Sequence, residues 1–126
     1  MRKILVINDD PALLDLVTSM LDAEENLAVM TATEGNAALQ LARRYPPHLV
    51  LLDLTLPGRD GFSVLRLLKR DRRTVNAKVI ILTGLDSDAA RTSSEKLGAD
   101  SFMTKPSSTV AMMEEISRLL RIEIFA

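Results

Sequence analysis

The sequence predicts an α/β protein, with a doubly wound five-stranded parallel sheet, on three observations. Short unbroken apolar runs recur at Ile4-Leu5-Val6-Ile7, Leu49-Val50-Leu51-Leu52 and Val79-Ile80-Ile81-Leu82, and such runs bounded by turn residues mark strands buried on both faces. Between them lie segments whose apolar residues repeat at helical spacing. Every Gly and Pro falls at a boundary between inferred elements. Strands alternating with helices make a parallel sheet covered on both sides, wound by right-handed crossovers.

Taken in order, Ile4 to Ile7 is the first strand and ends on Asn8-Asp9-Asp10. Asp10 caps the first helix and Pro11 takes its first position, where a missing N–H costs nothing. Leu13, Leu14, Leu16, Val17, Met20 and Leu21 form its apolar set. Leu27 to Ala32 is a weaker second strand. Gly35 to Arg44 is the second helix, with Ala38, Leu41 and Ala42 inward, closed by Tyr45-Pro46-Pro47. The central stretch His48 to Gly61 carries the third strand, which stops abruptly on Asp53. Val64, Leu65 and Leu68 mark a third helix running out through Lys69, Arg70, Arg72 and Arg73, cations that complement a helix C-terminus. Val79 to Leu82 is the fourth strand, ending on Thr83-Gly84. A polar helix follows from about Ser87 to Leu97, with a thin apolar face of Ala90, Ser93 and Leu97. Ser101-Phe102-Met103 is a short fifth strand closed by Lys105-Pro106. The last helix turns Val110, Met113, Ile116, Leu119 and Leu120 inward.

No repeat or linker divides the 126 residues, so residues 1–121 are expected to form one domain and 122–126 a short apolar tail or linker stub. The formal net charge of −1 gives no footprint for nucleic acid, and the absence of Cys excludes disulfides and thiolate metal sites. The first apolar run is too short for a signal peptide or a membrane span, and a cytoplasmic location with no membrane partner is expected.

Asp53 ends a central strand, where open α/β sheets bind ligands. Two doubly wound orders are common, and in the flavodoxin-like order 2-1-3-4-5 the first and third strands are neighbours. Asp9 and Asp53 would then converge at one edge of the sheet. Two carboxylates that close repel unless a proton or a cation intervenes, and oxygen ligands suit Mg²⁺. Thr83 and Lys105 end the next two strands with a hydroxyl and an ammonium. Together these groups suit a phosphoryl group on Asp53. A dianion there would draw in donors, Thr83 first, and the thinly apolar fourth helix is a segment able to move. The fourth helix, fifth strand and fifth helix (α4-β5-α5) are the predicted output face.

Four marks carry a resemblance over essentially the whole chain: Asn8-Asp9-Asp10-Pro11, LLDLTLPGRDG around Asp53, Ile81-Leu82-Thr83-Gly84, and GADSFMTKP from Gly98 to Pro106. The chain resembles a response-regulator receiver domain of two-component signalling, the CheY-like family, and with it the (βα)5 order 2-1-3-4-5. The resemblance implies that Asp53 accepts a phosphoryl group from a histidine kinase or phosphotransfer protein. It implies Mg²⁺ bound by Asp9, Asp53 and the backbone carbonyl of Thr55, and phosphoryl oxygens contacted by Thr83 and Lys105. Thr83 and Phe102 match the switch positions, although Phe102 also reads as plain core. The Lys105-Pro106 bond is expected to be cis. The downstream partner is an effector protein, and a homodimer through the predicted output face is a further option; no nucleic acid is expected to bind this domain.

One position departs from the family pattern, since Asn8 stands where an acid is usual. Its carbonyl oxygen is still able to hold a metal-bound water, but a negative charge is lost and weaker Mg²⁺ binding is expected. A pseudo-receiver that keeps the fold as a phosphorylation-independent interaction module is the alternative. An aspartyl-phosphate phosphatase needs a second Asp where this chain has Thr55. A flavin site needs aromatic stacking that the single Tyr, Tyr45, is badly placed to give.

Overall fold

The computed structural model describes residues 1–85, 87–105 and 108–122. Ten elements alternate: β1 (Arg2–Ile7), α1 (Pro11–Asp22), β2 (Leu27–Ala32), α2 (Gly35–Arg44), β3 (Leu49–Leu52), α3 (Gly61–Arg70), β4 (Lys78–Thr83), α4 (Asp88–Lys96), β5 (Ser101–Thr104) and α5 (Thr109–Leu120). The strands form one parallel sheet in the order β2-β1-β3-β4-β5. The flavodoxin-like order therefore holds, with β1 and β3 adjacent.

Alternation along each strand sends side chains to two separate cores. Leu5, Ile7, Val50, Leu52, Val79 and Ile81 pack with α2 and α3, and with Ala90 of α4. Ile4, Val6, Leu49, Leu51, Ile80 and Leu82 pack with α1 and α5 on the other face. The three central strands are buried on both faces, which is why they read as unbroken apolar runs. Each helix starts on a side-chain cap: Asp10, Glu34, Asp60, Ser87 and Ser108 accept from an N–H of the first turn.

Three helix faces differ from expectation. Val110 is 54% exposed, because α5 buries Met112, Met113, Ile116 and Leu120. At about 100° per residue, Val110 stands roughly a quarter turn from the middle of that stripe. Leu16 of α1 is likewise exposed, at 51%, beside the buried Leu14, Val17 and Leu21. In α4 the buried serine is Ser94, one turn from Ala90, with Ser93 outside; the Ser94 hydroxyl donates to the carbonyl of Arg91. Helix α3 also stops earlier than its basic run, at Arg70. The Asp71 carboxylate accepts from the Arg73 N–H and guanidinium, and Thr74 donates to the Leu68 carbonyl, which turns the chain out of the helix. Ile122 packs on the α1–α5 core, whereas residues 123–126 of the expected tail, and the Lys105-Pro106 bond, lie outside the described residues. No helix among the described residues is long and apolar enough to cross a membrane.

At the end of the sheet far from Asp53, His48 ties three strands together. Its N–H donates to the Lys3 carbonyl at 2.8 Å, its Nδ1 accepts from the Lys3 N–H at 2.9 Å, and its carbonyl accepts from the Lys78 N–H at 3.0 Å. Burial, then the charges of Arg2, Lys3 and the N-terminal amine, push the imidazole below its usual pKa of 6.5. On acidification the unfolded chain therefore takes up this proton first, and stability falls with pH just below about 6.5. His48→Asn keeps an acceptor and cannot titrate. Urea unfolding at pH 7.5 and 5.5 is expected to show a smaller acid-induced loss for this variant than for the wild type.

Candidate functional site

The sheet ladder carries the site residues one step past the strands. The Asn8 N–H donates to Ala32 O of β2 at 3.1 Å, the Asp53 N–H to Ile7 O of β1 at 3.0 Å, and the Lys105 N–H to Thr83 O of β4 at 2.8 Å. Together with the β3–β4 pairing these bonds hold the ends of all five strands in register, and the side chains of Asn8, Asp53, Thr83 and Lys105 converge because their backbones cannot slip.

Asp53 is 4% exposed, and both of its oxygens are held. Oδ1 accepts from the Thr83 hydroxyl at 2.9 Å and from the Thr55 N–H at 3.0 Å. Oδ2 accepts from the Lys105 ammonium at 2.8 Å and from the Asn8 amide nitrogen at 3.1 Å. Burial of a carboxylate is costly unless it is paired and hydrogen-bonded, and Lys105, whose side chain is 29% exposed, supplies the counter-charge. Thr83 is fully buried, and its oxygen also accepts from the Leu85 N–H.

The loop after Asp53 folds back tightly. Gly61 opens α3 directly against the end of β3, and its N–H donates to Leu54 O. A Cβ there would sit 2.4 Å from both Asp53 O and Leu54 Cα, so no larger residue fits unmoved. Gly84, by contrast, faces open space, with nothing within 4 Å of a built Cβ.

The remaining expected residues divide. Asp9 is exposed at the end of β1, and Thr55 is exposed after Asp53. Asp9, Asp53 and the Thr55 carbonyl are hard oxygen donors of the kind that suits Mg²⁺, and in this respect they fit the ion. Among the described residues no three carboxylate or imidazole groups cluster, so such an ion would rely on two carboxylates, a carbonyl and water. The Asn8 oxygen accepts from the Asp10 N–H at 2.9 Å and its nitrogen faces Asp53. Phe102 is half-buried against the α2–α3 core. The Arg91 guanidinium of α4 lies over its ring, 4.5 Å from the centroid, a cation–π contact that no spacing in the sequence signals.

Comparison with known proteins places the fold in a family. Residues 4–117 match the family described as "Response regulator receiver domain". The chain belongs to the response-regulator receiver family. It is 39% identical over 121 residues to the "DNA-binding dual master transcriptional regulator RpaA" of Synechocystis sp., and covers 96% of this chain and 50% of that protein. It is 38% identical over 122 residues to the "Response regulator PleD" of Caulobacter vibrioides, covering 97% of this chain and 27% of PleD. The chain thus spans half of one relative and about a quarter of the other. Among solved structures, the CheY-like receiver domain protein of Methanospirillum hungatei superposes with a TM-score of 0.90 at 28% identity, covering 96% of this chain and 94% of that one. The receiver domain of a DNA-binding response regulator from Colwellia psychrerythraea gives 0.88 at 30%, covering 96% and 99%. As a receiver domain the protein is a two-component signalling module, and phosphorylation of an Asp is general in its family.

Two expected outcomes test the packing around Asp53. Gly61→Ala should cost about 1–3 kcal/mol in urea unfolding, because strand end and helix must separate. Gly84→Ala, in open space, should leave the unfolding midpoint unchanged.

Proposed function

We propose that Asp53 is the phospho-acceptor of this receiver, taking a phosphoryl group from a histidine of a kinase or phosphotransfer protein. The observation that carries this reading is the convergence of Lys105 Nζ and Thr83 Oγ1 on one buried carboxylate from the two strand ends that follow it. In the transfer the donor's P–N bond breaks, its electron pair stays on the imidazole nitrogen, and an O–P bond to Asp53 forms. Phosphoryl transfer needs little from a protein besides position and charge stabilisation. Lys105 already stands where a transferred oxygen would gain negative charge, and the Thr83 hydroxyl and Thr55 N–H are donors on the other side. Mg²⁺ held by Asp9, Asp53 and the Thr55 carbonyl would add neutralisation of the phosphoryl charge. The domain acts as a switch rather than as an enzyme on an external substrate.

Thr83 exchanges a carboxylate oxygen for a phosphoryl oxygen in this reading. Its movement unloads the volume beside β5 and biases Phe102, with Arg91 carried on the ring from α4. The bland core of α4, Ala90 and Ser94, makes that helix the element least costly to shift. The α4-β5-α5 face is then the output surface, for an effector or a second copy.

Intact-mass spectrometry after incubation with acetyl phosphate and Mg²⁺ tests the acceptor. One phosphoryl adduct is expected on the wild type and none on Asp53→Asn. An unmodified wild type would favour the interaction-module alternative. Hydrogen exchange on the modified protein is expected to rise or fall first in α4 and β5; changes confined to α1 and α2 would contradict the output face.

A further inference from the structure

The side chain of Asn8 does more than omit a charge. It is 2% exposed, and its orientation is fixed, because a main-chain N–H such as that of Asp10 can only donate and so must face the amide oxygen. The amide nitrogen is thereby aimed at Asp53 Oδ2, 3.1 Å away. A carboxylate offers about four lone-pair sites. Thr55, Thr83, Lys105 and Asn8 already bring donors to them. A cation bound directly to Asp53 has to take one of these places. Asp9, the other carboxylate, is exposed and directly follows Asn8, which makes Asn8 its chain neighbour among the four donors on Asp53. Lys105 is partly exposed and can turn toward solvent; the buried amide has no such outlet.

We propose that Asn8 is a built-in competitor of the divalent cation: its amide holds Asp53 in the metal-free protein, and Mg²⁺ binds Asp53 only by displacing it. The acceptor is thereby kept ordered without a metal, at the cost of cation affinity. An acid at this position does the reverse, since two adjacent buried carboxylates repel until a cation arrives. The proposal deepens the phospho-acceptor reading and rests on it for its meaning in signalling.

The test is urea unfolding of the full, unphosphorylated chain across a Mg²⁺ series, at ionic strength matched with KCl, for wild type, Asn8→Ala and Asn8→Asp. A ligand that binds only the folded state raises the midpoint with its concentration, which yields an apparent Kd. Asn8→Ala should start with a lower midpoint than wild type but bind Mg²⁺ more tightly, because the competitor is gone. Asn8→Asp should start lower still and bind roughly tenfold or more tightly than wild type, within the range seen for changes around metal ligands. Should Asn8→Asp fail to fold without the ion, the alanine variant decides alone. Mg²⁺ binding by Asn8→Ala that is equal to wild type or weaker would overturn the proposal, as it would if the Asn8 oxygen served a metal-bound water. No phosphodonor is present, so this outcome is independent of whether Asp53 is phosphorylated.

Discussion

A single buried carboxylate sets the terms for this domain. Asp53 is almost without solvent, and a charge so placed is tolerated only with a counter-charge and a full set of hydrogen bonds. Those partners come from β1, β4, β5 and the loop after β3, so the site exists only when the parallel sheet is in register. The ladder that stabilises the fold and the geometry that prepares the chemistry are therefore the same set of constraints. Gly61 adds one more, since the close return of the loop leaves no room for a Cβ.

The same arrangement underlies the proposed route from Asp53 to the output face. Thr83 is bonded to Asp53 and lies in β4, while Lys105 follows β5, so any new group on the carboxylate changes the partners of two strand ends at once. Helix α4 sits over that edge with little apolar surface, joined to β5 by the Arg91–Phe102 contact. Its share of the α2–α3 core is small, Ala90 with Leu97 packed beside it, while the large aliphatic residues of both cores belong to the strands and to the other helices.

Much of this was legible in the sequence for a simple reason: strands buried on both faces must be continuously apolar, and the polar residues that interrupt them must lie at their ends. Asn8, Asp53, Thr83 and Lys105 are those interruptions, and the structure brings their side chains together. What stayed hidden depends on angle and distance. Val110 and Leu16 look like core in a list of apolar residues but stand off the buried stripe of their helices. Ser94, not Ser93, faces inward because the thin face of α4 follows a four-residue step from Ala90. The direction of the Asn8 amide is set by the Asp10 N–H two residues on, a turn contact no composition reveals. Arg91 over Phe102 joins a helix to a strand whose relative placement only the fold supplies.

Transfer of the phosphoryl group to Asp53 is tested most directly by locating the modification itself. Loss of an adduct in a variant can arise from a damaged site, whereas reductive trapping with borohydride converts an aspartyl phosphate to homoserine at the residue that carried it. Peptide sequencing by mass spectrometry after treatment with acetyl phosphate and Mg²⁺ is predicted to find homoserine at position 53 alone. Homoserine at Asp9, Asp10 or Asp60, or at no position, would contradict the account.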